Sequence, residues 1–490
     1  MKKWSWKKQH KVGGLTLCAF MLVFAVSGLI LNHRHTYSRM DLSRGSLPEA
    51  YQFKNWNNGL LRGTVSLNDS ATLIFGTGGL WLRTGKAVSD FNQGLPQWAD
   101  FRTIKNVVQL PDSNLVAAGQ YGVYTRALHG NSWQELRSIR LQPHERISDL
   151  ANLGDSLLVI TRDRILLSLP PYTTATEMPL APPEGYSGKV NLFRVVWLLH
   201  SGNLFGLPGR VLVDLVAIAT IVLCLSGFLY WLLPKWVKRK ARQRLKAIRT
   251  TKAIKWSFKS HRSIGVWGFV LFLIVVLSGW CLRPPLLIPL ALNDVPGIKG
   301  TAATPDTPWA DKLRTIRFDS AHSDWILSTS DGFYSLSQSL QGTPKQLKSA
   351  PRVSVMGVTV MEKNADGEWI IGSLSGLTRW NRQQNTIHDY FTGELIDNKP
   401  KAPFGSHPVA GFSTHFGSEP VIAEYYNGTP LIDQPDELRQ LPMSVWQLAL
   451  EFHTGRFYNL FGTAPLIWIF LAGCVVLWVL ISGWKVSRRH

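Results

Sequence analysis

Long apolar stretches alternate along the chain with long segments of mixed polarity. Four stretches of about 20 residues are almost free of charge, and they cover residues 12–32, 208–233, 263–282 and 464–484. A helix of about 20 apolar residues crosses a hydrocarbon layer roughly 30 Å thick. The pattern therefore predicts four transmembrane helices that form a four-helix bundle.

The segments between these helices carry a repeated β pattern. A β-rich run enters a tight turn and a second short run follows, in "LIFGTGGLWL" (73–82), "LVAAGQYGVYT" (115–125), "LLVITRDRILL" (157–167), "WILSTSDGFYSL" (325–336) and "WIIGSLSGLTRW" (369–380). Within each segment the turns recur every 42 to 44 residues, a spacing typical of the blades of a β-propeller. We therefore expect a propeller-like domain.

Two further features bear on this domain. Similar segments between the hairpins predict one more strand per repeat, at "FRTIKNV" (101–107), "LRSIRLQ" (136–142) and "LRTIRFD" (313–319). A weaker sixth unit lies at "VIAEYYNGTPL" (421–431). The alternative is a pair of unrelated β-sandwiches whose hairpins look alike.

The charge distribution orients the predicted helices. The net charge is +21, and residues 1–11 hold five Lys or Arg, residues 234–262 hold twelve and residues 485–490 hold three, with no acid in any of these segments. Basic residues concentrate on the cytoplasmic side of membrane helices. Since nearly all the excess charge flanks apolar stretches, we expect a membrane protein with both termini in the cytoplasm, and no nucleic-acid partner.

This topology divides the chain into nine segments. The first apolar stretch could be a cleaved signal peptide, but its length and its resemblance to the third stretch favour a retained span. The expected location is the bacterial inner membrane, with large periplasmic β-rich regions. The segments are a basic cytoplasmic N-terminus (1–11), the first span (12–32), a periplasmic β-rich region (33–207), the second span (208–233), a basic cytoplasmic loop (234–262), the third span (263–282), a second periplasmic β-rich region (283–463), the fourth span (464–484) and a cytoplasmic tail (485–490).

Several kinds of site are missing from the sequence. All four cysteines fall in or beside the spans, which excludes a disulfide framework and a CxxC metal or redox motif. No P-loop, dinucleotide fingerprint, HExxH or GxSxG motif occurs. Without a nucleotide or flavin site of its own, the chain would need a separate donor protein if it carries electrons, and the basic loop 234–262 could bind such a donor. Contact of this loop with anionic lipid is the alternative.

Histidines stand at equivalent places in two halves of the membrane part. "HKVGG…SG" opens the first span at His10 and "HRSIG…SG" opens the third at His261, with Ser-Gly ending eighteen residues later in both. "HSGNLFG" at His200 precedes the second span, and "HTGRFYNLFG" at His453 precedes the fourth. A repeat of two-span units places equivalent residues across a pseudo-two-fold axis. We therefore expect two histidine pairs, one at each side of the membrane.

Two such pairs suit b-type haem. The iron of a b-type haem takes two imidazoles from opposite faces, supplied by different helices. We expect His10 with His261, and His200 with His453, to ligate two haem groups. Nearby glycines would let the macrocycle approach the backbone, at Gly14, Gly265, Gly202 and Gly455. The alternative is that these histidines reach toward lipid head groups or cap helix ends.

His33 and His35 complicate the outer pair. They follow the first span in "SGLILNHRH", and the third span has no histidine there. Either could replace His200 or His453 as a ligand, contact a periplasmic substrate or be solvated. His33 lies nearer the span and is the better candidate.

These motifs resemble the PepSY-associated transmembrane helix family. The resemblance rests on the four spans and their edges, including "HKVGG…SGLILNH" and "FHTGRFYNLFG…LISGW". Members include inner-membrane ferric-siderophore reductases. The resemblance implies that His10, His200, His261 and His453 bind haem b, with His33 a further participant, and that electrons pass outward to a ferric chelate in iron uptake. The β repeats do not resemble a PepSY module, so the substrate site does not transfer and enzyme activity is left open.

A second function competes with electron transfer. The chain could be a haem-free membrane-anchored sensor or binding protein whose periplasmic domain recognises a ligand or a partner protein. A transporter is disfavoured because the spans contain no Asp, Glu or Lys except Asp214 near one end. The haem-b absorption bands separate the two leading hypotheses.

Overall fold

The structure is a computed structural model that describes residues 5–142, 145–242, 248–304, 307–354, 357–396, 405–457 and 464–488. It divides into two compact units. A helical unit comprises Met1–Met40, Gly188–Pro305 and Val445–His490, and a β unit comprises Asp41–Ser187 and Asp306–Ser444. The Asn-Leu-Phe-Gly part of the second His-Gly motif (459–462) and the ends of the two basic termini lie outside the described residues.

The helical unit carries the long helices. A helix satisfies its own backbone polar groups, as a hydrocarbon layer requires, and the side chains of the long membrane helices are mostly apolar. The α-helices of the whole chain, in order, are α1 Trp6–Asn32, α2 Arg34–Tyr37, α3 Ala99–Arg102, α4 Leu192–His200, α5 Gly206–Arg242, α6 Ile248–Trp267, α7 Phe269–Cys281, α8 Leu287–Ala291, α9 Asp436–Arg439, α10 Val445–His453 and α11 Ala464–Ser487. Of these, α3 and α9 belong to the β unit.

Three of the four predicted spans are continuous helices. By length and composition, helices at Trp6–Asn32, Asn203–Lys240 and Ile467–Ser487 can cross a membrane. The third predicted span is instead a bent pair, in which Thr250–Trp267 and Phe269–Cys281 meet at 69°. The 13 residues of α7 extend only about 20 Å. The predicted four-helix bundle is therefore not shown: the described residues contain three helices that can cross a membrane, and a fourth span only if the bent pair counts as one.

Gly268 lies at the bend between the two helices. A Cβ at this position would lie 2.5 Å from Cε2 of Phe272 and 2.9 Å from the carbonyl oxygen of Ile264. Only glycine allows this close approach. The sequence pattern of apolar residues runs unbroken through this point, so it gave no sign of the bend.

The long helices pack together and expose apolar surface. Helix α1 packs against α5, α10 and α11, and α7 packs against α4 and α11. Large apolar side chains remain exposed on the helices, among them Trp267, Val270, Leu215 and Ile467. Exposed apolar surface of this extent marks contact with a membrane or a partner. Together with the helix lengths, it indicates contact with lipid.

The β unit consists of short antiparallel strands. The strands of the whole chain are β1 Asp41–Leu42, β2 Gly63–Asn68, β3 Ala71–Gly76, β4 Gly79–Thr84, β5 Ala87–Asp90, β6 Ile104–Gln109, β7 Leu115–Gly119, β8 Val123–Arg126, β9 Gln134–Glu135, β10 Ile147–Leu153, β11 Ser156–Thr161, β12 Ile165–Ser168, β13 Thr176–Met178, β14 Lys189–Asn191, β15 Asp294–Pro296, β16 Leu313–Asp319, β17 Asp324–Thr329, β18 Gly332–Ser337, β19 Lys345–Gln346, β20 Val360–Lys363, β21 Trp369–Ser373, β22 Gly376–Asn381, β23 Thr386–Asp389, β24 Val409–Ser413, β25 Val421–Glu424 and β26 Met443–Ser444. Strands β14 and β15 pair within the helical unit.

Five four-stranded sheets repeat one topology. In each, consecutive strands pair with their neighbours, giving β2–β5, β6–β9, β10–β13, β16–β19 and β20–β23. A bulge of one residue recurs in the first strand of several sheets, for example at Ile104/Asn106, Ile147/Asp149 and Leu313/Thr315. The second strands are almost wholly buried, and β7 is buried at every position. All five predicted hairpins are confirmed by this arrangement.

Other parts of the β prediction need correction. Strands β6 and β16 confirm the further strand per repeat, but 136–142 is not a strand. It connects β9 to β10, and Ile139 in it is buried among Val123 and Leu157 as part of the core. The weak sixth unit at 421–431 contributes β25, which pairs with β24 in a sheet of two strands among the described residues. The described residues therefore show a β-rich unit of repeated sheets, and a closed propeller of complete blades is not shown.

Candidate functional site

The four predicted histidines meet in two pairs within the helical unit. The ring centroids of His10 and His261 lie 5.9 Å apart, and the ring planes form an angle of 64°. The ring centroids of His200 and His453 lie 6.0 Å apart, with an angle of 38°. His10 lies in α1 and His261 in α6, whereas His200 and His453 end α4 and α10. The structure thus brings together the same partners that the sequence repeat indicates.

A backbone carbonyl orients each imidazole. The distances from Nδ1 to the carbonyl oxygen are 3.0 to 3.1 Å, and they join His10 to Val479, His200 to Val275, His261 to Leu223 and His453 to Phe24. A carbonyl only accepts a hydrogen bond, so Nδ1 must carry the proton. In a neutral imidazole Nε2 then keeps its lone pair, and no hydrogen bond to Nε2 of these four residues occurs in the described part of the chain. Each ring can therefore ligate a metal through Nε2.

A Ser-Gly pair follows each of these carbonyls at the same spacing. The serine stands three residues after the carbonyl and the glycine four, at 27–28, 226–227, 278–279 and 482–483. All four serines are buried. Three of their hydroxyl groups also lie 3.1 to 3.3 Å from the histidine Nδ1, at Ser27, Ser226 and Ser278. The side-chain contact adds a second group that holds the ring.

The glycine of each pair gives the imidazole its space. A Cβ at Gly279 would lie 2.6 Å from Cε1 of His200, and one at Gly483 would lie 2.8 Å from Cε1 of His10. The corresponding distances are 3.0 Å for Gly227 with His261 and 3.1 Å for Gly28 with His453. Any side chain at these positions would push against the ring. Each of the four Ser-Gly pairs therefore forms the contact surface that holds one imidazole.

The four glycines expected to let the macrocycle approach are not the ones that lie against the imidazoles. A Cβ at Gly14 or Gly265 would make only ordinary contacts, at 4.0 Å to Val479 and 3.8 Å to Leu223. Gly202 and Gly455 have positive φ angles of 77° and 76°, so they serve the turns after the histidines. One Ser-Gly pair stands near the end of each of the four apolar stretches, and this recurrence was the signal that could have identified them.

Every imidazole is held by the other half of the chain. His10 and His200 belong to the first repeat, and their carbonyls and glycines come from α11 and α7 of the second. His261 and His453 belong to the second repeat and rest on α5 and α1 of the first. Each pair also joins one histidine from each repeat. The two halves therefore build both sites together.

His33 lies outside both pairs. Its Nε2 is 3.1 Å from Oδ2 of Asp214, and the neighbouring Asn32 donates to Oδ1 of the same carboxylate at 2.8 Å. Asp214 is thereby bound to the end of α1 by two polar groups. This contact accounts for His33 without a role as a ligand of the outer pair. His35 makes no contact with either pair in the described residues.

No larger metal-ligand cluster accompanies the pairs. Among the described residues, no group of three or more His, Cys, Asp or Glu side chains is placed to hold a metal ion. A structural zinc site takes four protein ligands and a catalytic one takes three. Each pair alone therefore suits a metal that brings further ligands of its own.

The β unit contains a separate polar cavity. It has a volume of about 40 Å³, and its lining includes Arg62, Lys105, Asn106, Asp149, Arg317 and Glu362. These residues lie in or beside the first strands of five sheets. Arg317 donates to Asp149 at 2.6 Å, and Asn106 donates to the same carboxylate at 3.1 Å. Burial raises the pKa of Glu362 to about 7, although the charge of Arg317 acts in the opposite direction.

Comparison with known proteins identifies a family model in each half of the chain. The model of the PepSY-associated TM region matches residues 1–234 and again residues 233–487. The two matches agree with the repeat that pairs the histidines. Together they cover nearly the whole sequence. No curated protein matches the chain significantly.

Solved structures with some similarity come from extracellular domains. One is the extracellular domain of BT4673 from B. thetaiotaomicron, described as part of a one-component system, with 10% identity and a TM-score of 0.37. Another is that of BT3049, described as part of a hybrid two-component system from the same organism, with 10% identity and a TM-score of 0.36. The matches cover 75% and 76% of this chain. The chain spans only 32% and 39% of the length of those proteins.

Proposed function

The chain belongs to the PepSY-associated TM region family, and we propose that it is a membrane protein that transfers electrons across the bilayer through two haem b groups. His10 and His261 hold one haem, and His200 and His453 hold the other. The acceptor is a ferric chelate, from which reduction releases iron for uptake. The identity of the acceptor follows from the family resemblance of the sequence motifs and not from a site in the structure.

One observation carries this proposal. Two imidazoles that ligate one metal through bonds of about 2 Å have ring centroids roughly 6 Å apart. The measured separations are 5.9 and 6.0 Å. Packed aromatic rings also lie about 4.5 to 7 Å apart, so the weight of this separation comes from its combination with the backbone carbonyl that orients each of the four rings. The Nδ1 hydrogen bonds also leave Nε2, the usual ligating atom, without a protein partner in the described residues.

The donor set fits haem better than a bare ion. Each pair supplies two nitrogens, and haem iron needs only these because the porphyrin supplies four more. The carbonyl of Val275 and the hydroxyl of Ser278 keep His200 in one orientation, and the glycine beside them leaves room for the ring. Such outer contacts fix the tautomer and raise the basicity of a ligand. When bound, a haem supplies reversible one-electron chemistry, which no side chain here provides.

The two pairs lie at different depths along α1. His10 stands near the start of this helix, and His453 contacts the carbonyl of Phe24, fourteen residues later. At about 1.5 Å per residue the separation along the helix is roughly 21 Å. One pair therefore lies near each side of a bilayer, as transfer across it requires.

The proposed orientation follows the charge. The basic termini and loop lie in the cytoplasm, where an unidentified donor supplies electrons, and the β unit lies in the periplasm. We place the protein in the bacterial inner membrane as a multi-pass protein.

We further propose that the sheets of the β unit form a propeller-like ring. Apolar clusters lie between successive sheets, such as the one that joins Leu73 to Leu115 and the one that joins Ile326 to Trp369. A further cluster joins the two-stranded sheet at Ala423 to the first sheet at Ile74. Packing of each sheet on the next is the arrangement of propeller blades.

Absorption spectroscopy tests the electron-transfer proposal. The full chain, purified in detergent, should give sharp reduced-minus-oxidised haem b bands. H10A and H453A should each remove about half of the band amplitude, since each removes one ligand of one pair. A colourless but folded protein would overturn the proposal.

H33A is the matched control for these variants. His33 lies at the membrane edge like the four ligands, but it contacts Asp214 and neither pair. It should retain the full haem content. Equal losses in H33A, H10A and H453A would instead indicate a general defect of folding.

A second candidate is a haem-free sensor or binding protein. The observation that favours it is the polar cavity of the β unit, where Arg62 and Glu362 line a space of about 40 Å³, enough for a small ion or a few-atom ligand. The similar extracellular domains, described as parts of sensor systems, agree with this candidate rather than with electron transfer. Their low TM-scores give that agreement no weight in the choice.

Thermal unfolding with added ligands tests this second candidate. Small carboxylates and phosphate, added to the full chain, should raise its melting temperature if the cavity binds them. R62Q should abolish the shift, whereas K86Q, at an exposed position between β4 and β5, should not. The absence of any shift for all these anions would remove the anion-binding form of this candidate.

A further inference from the structure

Arg283 lies beside the outer imidazole pair without an acidic partner. Its Nη2 donates to the backbone carbonyl of His453 at 3.4 Å, and its charge is close enough to act on both His200 and His453. The residue is half-buried. In the described part of the chain no carboxylate forms an ion pair with it. The nearest acid of α10, Glu451, is already bound to Arg456 at 2.7 Å.

A cation in this position is costly unless an anion accompanies it. Withdrawal of a charge from water near apolar helices is unfavourable, and membrane proteins usually pair such groups. One long hydrogen bond to a carbonyl satisfies little of a guanidinium that has five N–H donors. The remaining donors are free to bind a group that approaches the imidazole pair.

The two repeats differ at this point. Arg283 stands five residues after Ser278, and Asn32 stands five residues after Ser27. In the first repeat, Asn32 and His33 receive their anion from the chain itself, as Asp214 of α5. Asp214 stands eight residues after the Leu-Phe-Gly motif of the first repeat. The residue eight positions after the same motif in the second repeat is Phe470. The first repeat therefore provides an internal anion, and the second provides a cation with none.

We infer that Arg283 binds a carboxylate of the group that His200 and His453 hold between them. This inference rests on the proposed function, and it adds an anchor for the acidic edge of the macrocycle. Guanidinium and carboxylate form a bidentate pair with two parallel hydrogen bonds. Arg283 would thereby fix the rotation of the group in its site, while the imidazoles fix its centre.

Haem and its dimethyl ester distinguish this role from general support of the fold. The ester keeps the iron and the ring but lacks free carboxylates. In full-length protein carrying H261A, which removes the inner site, binding of haem should be about 10- to 100-fold tighter than binding of the ester. R283Q in the same background should bind both equally. R456Q, at an arginine already paired with Glu451, should keep the preference for haem.

The outcomes separate this inference from the proposed function. Binding of neither compound by protein that is folded in either background would overturn the proposed function itself. Binding of both with the same preference in R283Q as in the parent would overturn only the role of Arg283. Equal binding of haem and ester by the parent would also overturn it, and would leave a lipid phosphate as the anion at Arg283.

A second readout covers the case in which H261A does not fold. In the full chain with all four histidines, loss of the cation beside the outer pair should lower the midpoint potential of one haem component and leave the other unchanged. A shift of both components, or of neither, in R283Q would contradict the inference.

Discussion

At the residue scale, glycine decides where the imidazoles can stand. Four glycines in the membrane helices face a histidine ring at distances that no Cβ tolerates without displacement. Their function depends on the neighbouring helix, since the same residue type at Gly265 meets only an ordinary contact with Leu223. Position in the packed unit, rather than residue type, separates the two groups.

Replacement of Gly279 by alanine should therefore displace His200. Its new Cβ would lie 2.6 Å from Cε1 of the ring, so the ring must move from the carbonyl of Val275. We expect G279A to weaken haem binding at the outer site by about tenfold or more, the size typical of lost outer contacts. Titration of the full chain with haem measures this.

The control for this change is G265A. It adds the same methyl group to a membrane helix at a place where the nearest atom would lie 3.8 Å away. It should leave haem binding unchanged. A loss as large in G265A as in G279A would mean that the effect comes from helix stability and not from the imidazole.

Glu362 in the β unit provides a second test at this scale. Burial raises its pKa to about 7, above the ordinary value of about 4.3. The folded state therefore binds a proton more tightly than the unfolded state, and stability falls as the pH rises between these two values. E362Q stays neutral, so it should melt a few degrees above the wild type at pH 8 and show no gain at pH 4.

Thermal unfolding across pH 4 to 8 checks the sign. E419Q, at an exposed glutamate of the same unit, should follow the wild type at every pH. A melting curve of E362Q that parallels the wild type throughout would show that Glu362 is ionised in the folded protein at neutral pH.

At the element scale, ion pairs join two neighbouring sheets. Asp319 at the end of β16 is 1% exposed, and Lys363 of β20 donates to it at 2.8 Å. Arg382, just after β22, donates both to Asp319 and to Asp324 of β17. Burial alone would raise the pKa of Asp319, but the hydrogen bonds from Lys363, Arg382 and Trp369 outweigh it and hold the pKa well below its usual range. The sheets β16–β19 and β20–β23 are thus held by buried charge as well as by apolar contacts.

Removal of Arg382 should destabilise the β unit strongly. R382M leaves two mostly buried carboxylates without their shared cation, and such a change costs about 3–5 kcal/mol. R439M, which breaks the exposed pair with Asp436, should cost less than about 1 kcal/mol. Chemical denaturation of the full chain, followed by tryptophan fluorescence, compares the two. Similar losses in both would contradict a buried network.

The same pairs make the β unit sensitive to acid. Because the pKa of Asp319 is lower in the folded than in the unfolded state, its stabilising effect is present above the unfolded pKa of about 3.9 and is lost as the pH falls below it. Wild-type protein should therefore lose stability steeply below about pH 4. In R382M this loss should be smaller, since part of the stabilisation is already gone.

At the scale of the whole molecule, the sequence predicted more of the site than of its surroundings. The histidine pairs could be found because duplication repeats their spacing, as with His10 and His261. The Ser-Gly pairs that hold the histidines could not be found, because the sequence does not show which helices are neighbours. The bend at Gly268 was missed for a similar reason, since an apolar run has the same pattern in a straight and in a bent helix.

The β unit shows the same division. Its hairpins follow from alternating apolar residues and turn glycines, which are local signals. The segment 136–142 looked like a strand because it resembles β6 and β16, yet it packs as a connection through Ile139. The network around Asp319 joins residues up to 63 positions apart, so no local sequence pattern predicts it.

Labelling of single cysteines tests the proposed orientation. In a chain whose four native cysteines are replaced by serine, K252C in the basic loop should react with a membrane-impermeant maleimide only after the cells are lysed. D112C in the β unit should react in intact spheroplasts, because we place that unit in the periplasm. Reaction of both positions on the same side would contradict the proposed topology.

The crossed support of the imidazoles has a consequence for each half of the chain. Neither repeat contains both a histidine and the Ser-Gly pair that holds it, because His200 contacts Gly279 of the second repeat and His453 contacts Gly28 of the first. The chain contains two copies of one two-span unit, and a single such unit could assemble both sites only as a symmetric homodimer. Each half expressed alone should thus bind no haem, and haem absorption should return only when the two halves associate.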